Sequence, residues 1–562
     1  MDHGYEFDRM QEEIEHKVNI DSEFQVQRVT VPVVRDALKQ LKANKKDSIF
    51  DASSDLYLNG PPELVQHLTS LIKLYLVHGY VTPTVLLCTL LPLVKDGLGD
   101  LTLSKNYRAI AGGCLLLKVI DLVILSLEKD KLNFDCMQFA YQVKSSTSMC
   151  TWTVTAVIDH FNRNGLNVFG AAMDMTKAFD MVEWCELFKS LSERNIDAVF
   201  LRLVLFIYCN QQCAAKWCGR YSSWFSVKNG VRQGGVSSGI FFAIYIDNLL
   251  SLLRKAKIGC HINGIFYGAM VFADDIFLLS PSRNGLQVMV NLCHEFVSRK
   301  NLKFGTDVNP SKSKTKCILF SKRPLKGAQP KKVTLSGNEL PWVSQVKHLG
   351  HVLQTDNSMK IDVCQKRGSF IAKINSLLQE FHHVSSNIFL KLMHAYTTSL
   401  YGSNTWDILS PECERIYTSY NVTIRKVLGV DRRTHRYLIE PLSGSLHLKT
   451  LVASRYVTFA NSLVNSCKLP VRFLARLCEG DQRTVLGRTL SALRNICSLD
   501  DSSSITARIV KQNMKYMEAP QHEQWRQNIA SELLAIKDGN QLELEGFSCE
   551  ECVELLQHKC VS

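Results

Sequence analysis

The sequence has few of the features that mark membrane or secreted proteins. Its longest apolar runs are interrupted by Pro92, by Asp121 or by Arg202, so none supplies the roughly 18 uninterrupted apolar residues that a bilayer span needs. A hydrophobic signal segment is also missing after Met1. We therefore expect an intracellular protein, in the nucleus or the cytoplasm, with no membrane segment.

The cysteines do not indicate a disulfide framework. The nineteen cysteines, which lie between Cys88 and Cys560, are an odd number, and the chain has no secretion signal. Reduced thiols, as in most intracellular proteins, are expected. Four side chains near the end are candidate zinc ligands, although their spacing is not that of a zinc knuckle: Cys549, Cys552, His558 and Cys560.

Acidic residues are too few to balance the basic ones, and they are unevenly distributed. The formal net charge is +13, yet residues 1–30 carry eight acidic and three basic side chains, so the remainder carries about +18. Basic side chains concentrate from Lys312 to Lys332 and from Arg425 to Arg436. This distribution predicts that both regions contact the phosphates of a nucleic acid. For residues 326–332 a solvated loop is the alternative.

Two adjacent carboxylates stand within an apolar stretch, where an unpaired charge is costly. Asp274 and Asp275 are flanked by four apolar residues on each side, at a tight turn between two predicted strands. A third acid, Asp174, ends another apolar strand. Solvated turns also favour Asp, but such apolar flanks are typical of central strands. We predict that the three carboxylates hold two Mg²⁺ ions, with Mn²⁺ as the alternative metal.

The hydrophobic pattern divides the chain into three regions. Helical spacing predicts helices at residues 31–44, 63–80 and 112–128. From about 166 to 325 the pattern alternates between strands, helices and a hairpin, which is typical of an α+β domain. Residues 360–465 are mainly helical in pattern. All three acids fall in the α+β region, which is therefore the predicted catalytic core.

Carboxylates at strand ends suit nucleotidyl transfer. One metal ion lowers the pKa of an attacking 3′-hydroxyl, and a second, about 4 Å away, neutralises the leaving pyrophosphate. Phe179 follows Asp174 by five residues, and a ring at this position is expected to exclude a 2′-hydroxyl and so favour dNTPs. The alternative for Phe179 is an ordinary core residue.

The motifs together resemble those of a known enzyme family. Residues 174–180 and 272–275 are similar to the first and third palm motifs of reverse transcriptases, and the non-LTR, LINE-type retrotransposon branch fits best. Residues 229–235 resemble the second palm motif. There Gln233 and Gly234 correspond to the residues that contact the templating base and the incoming nucleotide.

Other motifs of the family follow in the expected order across residues 31–355. Arg108 corresponds to the fingers arginine that grips the triphosphate, and Lys312 to a lysine that protonates pyrophosphate. The remaining matches are two short blocks and the primer-grip turn, at residues 138–141, 146–147 and 346–350. The ordered set is far more specific than any single motif.

The resemblance implies an α+β fold of the right-hand polymerase type, with a ferredoxin-like antiparallel palm sheet and a helical C-terminal region. The expected segments are an acidic lead segment (1–30), fingers (31–165), palm (166–325), connection and helical thumb (326–470), and a C-terminal region of unknown role (471–562). The implied reaction is DNA synthesis from dNTPs on an RNA template and a DNA primer. Because the family often carries an endonuclease before the fingers, and residues 1–30 leave no room for one, we expect a retrotransposon protein without it.

Several positions depart from the family pattern. The family commonly has proline where Ala109 and Gly239 stand, glycine where Ala140 stands, and a glycine-rich turn at residues 47–51. The loss of proline at Gly239 is expected to free the backbone beside the nucleotide pocket. These departures keep a second hypothesis open, namely a decayed or co-opted reverse transcriptase fold that binds nucleic acid without catalysis.

A hydrolase is the rival from a different enzyme class. Residues 235–239 match the G-x-S-x-G nucleophile elbow, with Ser237 as the nucleophile. A hydrolase would leave Asp174, Asp274 and Asp275 without a role. The sequence also shows no oxyanion-type glycine block after a histidine.

Overall fold

The fold was analysed in a computed structural model that describes residues 3–97, 99–322, 330–434, 439, 443–500 and 504–516. The helices are α1 (His3–Gln27), α2 (Val31–Leu38), α3 (Ser54–Leu58), α4 (Pro62–His78), α5 (Leu115–Leu127), α6 (Thr147–Arg163), α7 (Trp184–Glu193), α8 (Ala198–Asn210), α9 (Ser238–Lys255), α10 (Arg283–Arg299), α11 (Lys360–Glu380), α12 (Ser386–Thr397), α13 (Pro411–Leu428), α14 (Leu448–Val464), α15 (Leu469–Glu479), α16 (Val485–Ile496) and α17 (Ala507–Tyr516). The strands are β1 (Leu87–Val94), β2 (Tyr107–Gly113), β3 (Val168–Asp174), β4 (Gln212–Trp217), β5 (Arg220–Tyr221), β6 (Phe225–Ser226), β7 (His261–Ile262), β8 (Ile265–Phe266), β9 (Ala269–Phe272), β10 (Asp275–Ser280), β11 (Lys316–Phe320), β12 (Val333–Leu335), β13 (Asn338–Leu340), β14 (Trp342–Val343), β15 (Gln345–His348) and β16 (His351–Gln354).

A five-stranded sheet in the order β14-β11-β3-β10-β9 forms the palm. Strand β3 lies between β10 and β11 and is antiparallel to both. Successive side chains of a strand point to opposite faces, and Ile276, Phe277, Leu278 and Leu279 of β10 are all buried, so both faces of the sheet are covered. Helices α6 and α10 pack against its strands. The predicted right-hand polymerase fold is confirmed, and its palm sheet is antiparallel except for the parallel pair of β11 and the edge strand β14.

A second sheet has the order β2-β1-β4-β5, with β6 also paired to β4. Strand β1 is antiparallel to β2 and parallel to β4, so two distant parts of the chain meet in it. A parallel pair needs a long crossover connection, and here the crossover contains β3 and helices α5 to α8. The crossover therefore connects the second sheet to the palm, because it contains the palm strand β3.

Helices at both ends of the chain pack on this centre. At the beginning, α1 contacts α4, α7 and α8, and Arg28 forms ion pairs with Glu128 and Asp197. After the palm, α11, α12 and α13 pack on one another, and α15 packs on both α14 and α6. Within the described ranges, no helix is long and apolar enough to cross a bilayer.

Candidate active site

The three predicted metal ligands meet at one end of the palm sheet. Asp174 is the last residue of β3 and Asp275 the first residue of β10, and the two are partners in the β3–β10 register. The turn between β9 and β10 consists of Ala273 and Asp274. The prediction that both adjacent acids lie in the turn is therefore wrong for Asp275, which already belongs to the strand and pairs with Phe272 as well.

The turn itself has an uncommon backbone. Ala273 has a φ of +54°, in the left-handed region that residues with a Cβ rarely adopt. Its backbone N–H donates to the side-chain oxygen Oε1 of Gln138, at 3.2 Å, and that residue is fully buried. Such strain persists only where the surroundings enforce it, and it is concentrated at functional sites. Gln138 is thus part of what holds Asp274 in place.

The electrostatics of the site reflect three carboxylates close to one another. Burial, together with the charges of Asp274 and Asp174, raises the pKa of Asp275 to about 6. Burial and the charge of Asp174 also raise the pKa of Asp274, whereas Arg108 opposes that rise. Like charges in a partly buried site disfavour ionisation until a cation neutralises them. The site is therefore arranged to bind positive charge.

Oxygen chemistry at the site fits a hard divalent ion. The Oδ2 atom of Asp174 is buried without a hydrogen-bond partner, and the Nζ atom of Lys314 lies 3.7 Å from it. Carboxylate oxygens are the ligands that Mg²⁺ prefers. In the part of the chain that the structure describes, no three His, Cys, Asp or Glu side chains form a ready-made metal cluster.

The loop that contains Gln233 joins the palm to the second sheet. The side-chain amide Nε2 of Gln233 donates to Oδ1 of Asp180 at 3.1 Å, and its carbonyl accepts from the N–H of Ala111 in β2 at 2.7 Å. Gly234 has a φ of +115°, and a Cβ there would lie 2.9 Å from the carbonyl oxygen of Ala111. Only glycine fits this close backbone approach.

Phe179 lies beside the same loop. Its ring stacks on Phe242 at a centroid distance of 4.8 Å and an interplanar angle of 15°. Its carbonyl accepts from the N–H of Val231 at 2.8 Å. The ring is only partly buried and packs against the hydrophobic core. Its role in sugar selection stays a prediction.

Part of the sequence matches a known protein family. Residues 95–353 match the family "Reverse transcriptase (RNA-dependent DNA polymerase)". Over these residues the predicted resemblance to reverse transcriptases is confirmed. Reverse transcriptases generally use divalent metal ions, in agreement with the carboxylate site.

Curated relatives of this reverse transcriptase are retrotransposon proteins. The Pol polyprotein of the type-2 retrotransposable element R2DM from Drosophila melanogaster is 25% identical over 203 residues, covering 36% of this chain and 19% of that protein. That of the type-1 element R2 from Nasonia vitripennis is 22% identical over 338 residues, covering 59% and 32%. That of the type-1 element R1 from Bradysia coprophila is 24% identical over 422 residues, covering 69% and 39%. The predicted non-LTR retrotransposon branch is confirmed.

The reverse transcriptase chain spans between 19 and 39% of the length of these three relatives. Among solved structures, an apo telomerase from Candida tropicalis aligns with a TM-score of 0.40 at 13% identity, covering 74% of each chain.

Two predicted cationic residues of the reverse transcriptase differ in their surroundings. Arg108 is exposed on β2, and its charge acts on Asp274. Lys312 is exposed at the end of a short 3₁₀ turn, Pro310–Lys312. The lysine next to Asp174 is instead Lys314, which the sequence indicated only as a member of a basic run.

The departure from the family pattern at Gly239 has a packing reason. Gly239 lies in the first turn of α9, and a Cβ there would collide with the ring of Tyr141. The expectation of a freed backbone is therefore wrong, because the residue is helical and covered by an aromatic ring. Tyr141 itself has a φ of +56° and lies close enough to Asp274 for that charge to raise its pKa.

The serine of the apparent nucleophile elbow is not available for chemistry. Ser237 is buried, and its hydroxyl donates to Oδ2 of Asp121 at 3.0 Å. Arg232 reaches the same carboxylate at 3.5 Å and lies over the ring of Tyr208. This buried cluster supports the loop before α9, and its only local signal is the position of Arg232 beside Gln233. It excludes a solvent-accessible serine nucleophile at this position.

The basic regions are only partly described. Lys322 and Lys332 pair with Asp159 and Glu339, at 3.8 Å and 2.7 Å. Arg425 donates to the carbonyl of Thr434 at 2.9 Å. Other members of these regions lie outside the described residues, namely Arg323, Lys326 and Arg436, as do the candidate zinc ligands Cys549, Cys552, His558 and Cys560.

Proposed function

We propose that this chain is an RNA-directed DNA polymerase that extends a primer 3′-hydroxyl with dNTPs by two-metal nucleotidyl transfer. The observation that carries the proposal is the register pairing of Asp174 with Asp275 at the edge of the Ala273–Asp274 turn. Burial and the neighbouring carboxylates raise the pKa of Asp274 and of Asp275, so a bound cation would stabilise the ionised site.

Asp174, Asp274 and Asp275 would hold the metal ions. When bound, two Mg²⁺ ions supply activation of the 3′-hydroxyl and neutralisation of the leaving pyrophosphate. The protein's own contribution is to hold three carboxylates together, two at strand ends and one in the adjoining turn. The Asp174 carboxylate already faces a cation, Lys314, at 3.7 Å.

The nucleotide would be bound between the two sheets. Arg108 projects from β2 near Asp274 and would take the triphosphate, whose charge it matches. Gln233 and Gly234 lie in a loop that is hydrogen-bonded to β2, and they would contact the templating base and the nucleotide. Phe179 would exclude a 2′-hydroxyl, and Lys312 is the predicted donor of a proton to pyrophosphate.

Nucleic acid is the proposed partner beyond the nucleotide. An RNA template and a DNA primer would bind across the palm and along the helices from α11 to α13, through phosphate contacts with basic side chains. In that region Lys373 and Lys391 are exposed, as are Arg432 and Arg433 beyond α13. The fingers, palm and thumb boundaries at residues 165, 325 and 470 remain part of this proposal.

The alternative is a reverse transcriptase fold that binds nucleic acid without catalysis. This hypothesis is based on departures from the family pattern, such as Gly239. The contact between Gly239 and the ring of Tyr141 explains that departure without any change at the carboxylate site. Ala109, the other missing proline, lies in β2 opposite Pro92 of β1. Neither position disturbs the arrangement of Asp174, Asp274 and Asp275, which favours the catalytic function.

Primer extension on an RNA template with dNTPs and Mg²⁺ tests the proposal. Replacing Asp275 by Ala should lower the rate by about three orders of magnitude or more, because the metal site loses a ligand. Asp130→Ala serves as the matched control, since Asp130 is an exposed acid in the turn after α5. Equal incorporation by the wild type and Asp275→Ala, or none by either, would falsify the catalytic function.

A further inference from the structure

A buried lysine lies directly behind the turn that carries Asp274. Lys468 precedes α15 and is 4% exposed. Its Nζ atom donates to the carbonyls of Gln138, at 2.8 Å, and Cys136, at 3.2 Å, and to the side chain of Gln142. It also lies 5.2 Å from the centroid of the Phe139 ring. The ammonium group of Lys468 thus binds three groups of one short segment, residues 136–142.

The same segment forms an additional edge of the palm sheet. The N–H of Phe139 donates to the carbonyl of Val271 at 2.8 Å, and the N–H of Val271 donates to the carbonyl of Met137 at 3.0 Å. These bonds pair the segment with β9 in parallel. The side chain of Gln138 then continues to the turn, where it accepts from Ala273. Lys468 and Asp274 are therefore joined through one hydrogen-bonded unit.

The lysine belongs to a part of the chain outside the family match at residues 95–353. Its neighbourhood is anchored to the palm by a second contact, because the hydroxyl of Tyr267 donates to the carbonyl of Pro470 at 2.7 Å in the interior. Helix α15 also packs on α6. The end of the predicted thumb segment and the start of α15 thus pack against the palm behind the site.

Burying Lys468 costs free energy, so its hydrogen bonds must hold it in position. Removing a lysine from water costs free energy unless its charge is hydrogen-bonded, and here the partners are neutral carbonyls and an amide. Without the lysine, the carbonyls of Gln138 and Cys136 lose a donor in a place that water does not reach. The segment would then hold β9 and the turn less firmly.

We propose that Lys468 is a positioning residue, which fixes residues 136–142 against β9 and thereby sets the place of Asp274. The catalytic consequence rests on the proposed polymerase function, whereas the positional consequence does not. Lys468 touches no substrate and acts through Gln138 and Ala273. The end of the predicted thumb segment, residues 326–470, contributes in this way to the active site.

Lys468→Met tests the proposal in the full-length chain, with Arg476→Met as the matched control. Arg476 is an exposed cation on the same helix, α15. Hydrogen exchange read by mass spectrometry follows the amides of residues 136–142 and 269–275, and those of β3 give an internal reference. We expect about tenfold faster exchange in the first two peptides of Lys468→Met, unchanged β3, and no effect of Arg476→Met. Uniform acceleration over the palm, or none at residues 269–275, would overturn the proposal.

Kinetics then separate positioning from simple stability. We expect kcat of primer extension to fall about ten- to a hundredfold, with KM for dNTP nearly unchanged, because a misplaced Asp274 affects the reacting atoms more than nucleotide binding. Lys468→Arg, which keeps a charge and several donors, should recover part of kcat and of the exchange protection, and it serves as the second variant if Lys468→Met does not fold. An unchanged kcat in a variant with loosened residues 269–275 would refute the catalytic consequence. If the wild type extends no primer, the proposed function fails, and the exchange data still decide the position of Lys468.

Discussion

Asp174 and Asp275 lie directly opposite each other on adjacent strands at the centre of the palm sheet. Like charges in a cross-strand pair destabilise a sheet. We therefore expect the pair to lower the stability of the free protein and a bound cation to restore it. Its consequences can be measured without following the polymerase reaction.

The first prediction concerns Mg²⁺ and thermal stability. Because the ion would bind the folded site and relieve repulsion among three carboxylates, millimolar Mg²⁺ should raise the Tm of the wild type. Asp275→Asn removes one of the like charges, so this variant should be more stable than the wild type without Mg²⁺, by about 1 kcal/mol or more, and respond less to the ion. Calorimetry with and without Mg²⁺ measures both effects. An equal Mg²⁺ response of the two proteins would count against a metal site at Asp275.

The second prediction concerns sugar selection. Phe179→Val shortens the ring that is expected to block a 2′-hydroxyl, so the ratio of kcat/KM for rNTPs to that for dNTPs should rise by about tenfold or more. The loss of stacking on Phe242 should also lower the free energy of unfolding by about 1 to 2 kcal/mol.

Phe242→Leu is the control for that experiment, since it disturbs the same stack from the buried side. It should lower stability without admitting ribonucleotides. An unchanged rNTP to dNTP ratio in Phe179→Val would remove Phe179 from sugar selection and leave it as a core residue.

The third prediction concerns the contact between Gly239 and Tyr141. A methyl group at position 239 would collide with the ring, so Gly239→Ala should lower the free energy of unfolding by about 1 to 3 kcal/mol. The double variant with Tyr141→Ala should lose clearly less than the sum of the two single losses, because the smaller side chain makes room. Urea denaturation of the four proteins measures the coupling. Strictly additive losses would show that the ring is not what requires glycine.

The fourth prediction concerns acid stability. His348 is buried beside Phe277, at a ring distance of 4.9 Å, and burial together with the nearby His351 lowers its pKa to about 3. The folded pKa therefore lies below the unfolded value of about 6.5, and stability is complete above pH 6.5 and lost as the pH falls toward 3. At pH 5 the protonation of His348 in the unfolded chain should cost about 2 kcal/mol relative to pH 7.

Replacing His348 by Phe should remove this part of the acid sensitivity. Urea denaturation at pH 7 and pH 5 measures it, with His383→Phe, at an exposed position, as the control. The pH 7 to pH 5 loss should shrink in His348→Phe and stay the same in His383→Phe. If the loss is the same in all three proteins, protonation of His348 does not limit stability.

Local patterns in the sequence predicted much of the fold. The helix expected at residues 63–80 is α4 (Pro62–His78), and the one at 112–128 is α5 (Leu115–Leu127), because apolar spacing and flanking turn residues are local signals. The strand that ends at Asp174 was also visible, since an apolar run followed by an acid needs no knowledge of partners. The helix expected at 31–44 is shorter in the structure, where α2 spans Val31–Leu38 and is followed by turns.

Contacts between distant residues could not be predicted in this way. The adjacent acids look alike in the sequence, but only the register with β3 shows that Asp275 is in the strand and Asp274 in the turn. Lys314 rather than Lys312 reaches Asp174, because the 3₁₀ turn before β11 determines which lysine faces the sheet. The ring of Tyr141 over Gly239 joins residues 98 positions apart, and no periodicity reports such a contact.

The hydrogen bond between Lys468 and Gln138 spans 330 positions of the chain. During translation, the strands of the palm emerge from the ribosome long before the lysine does, at roughly 5 to 20 residues per second. For some ten seconds or more after β10 has been synthesised, the nascent protein would contain Asp174, Asp274 and Asp275 but not yet Lys468. Such an order of assembly delays a working polymerase until nearly the whole chain has been synthesised.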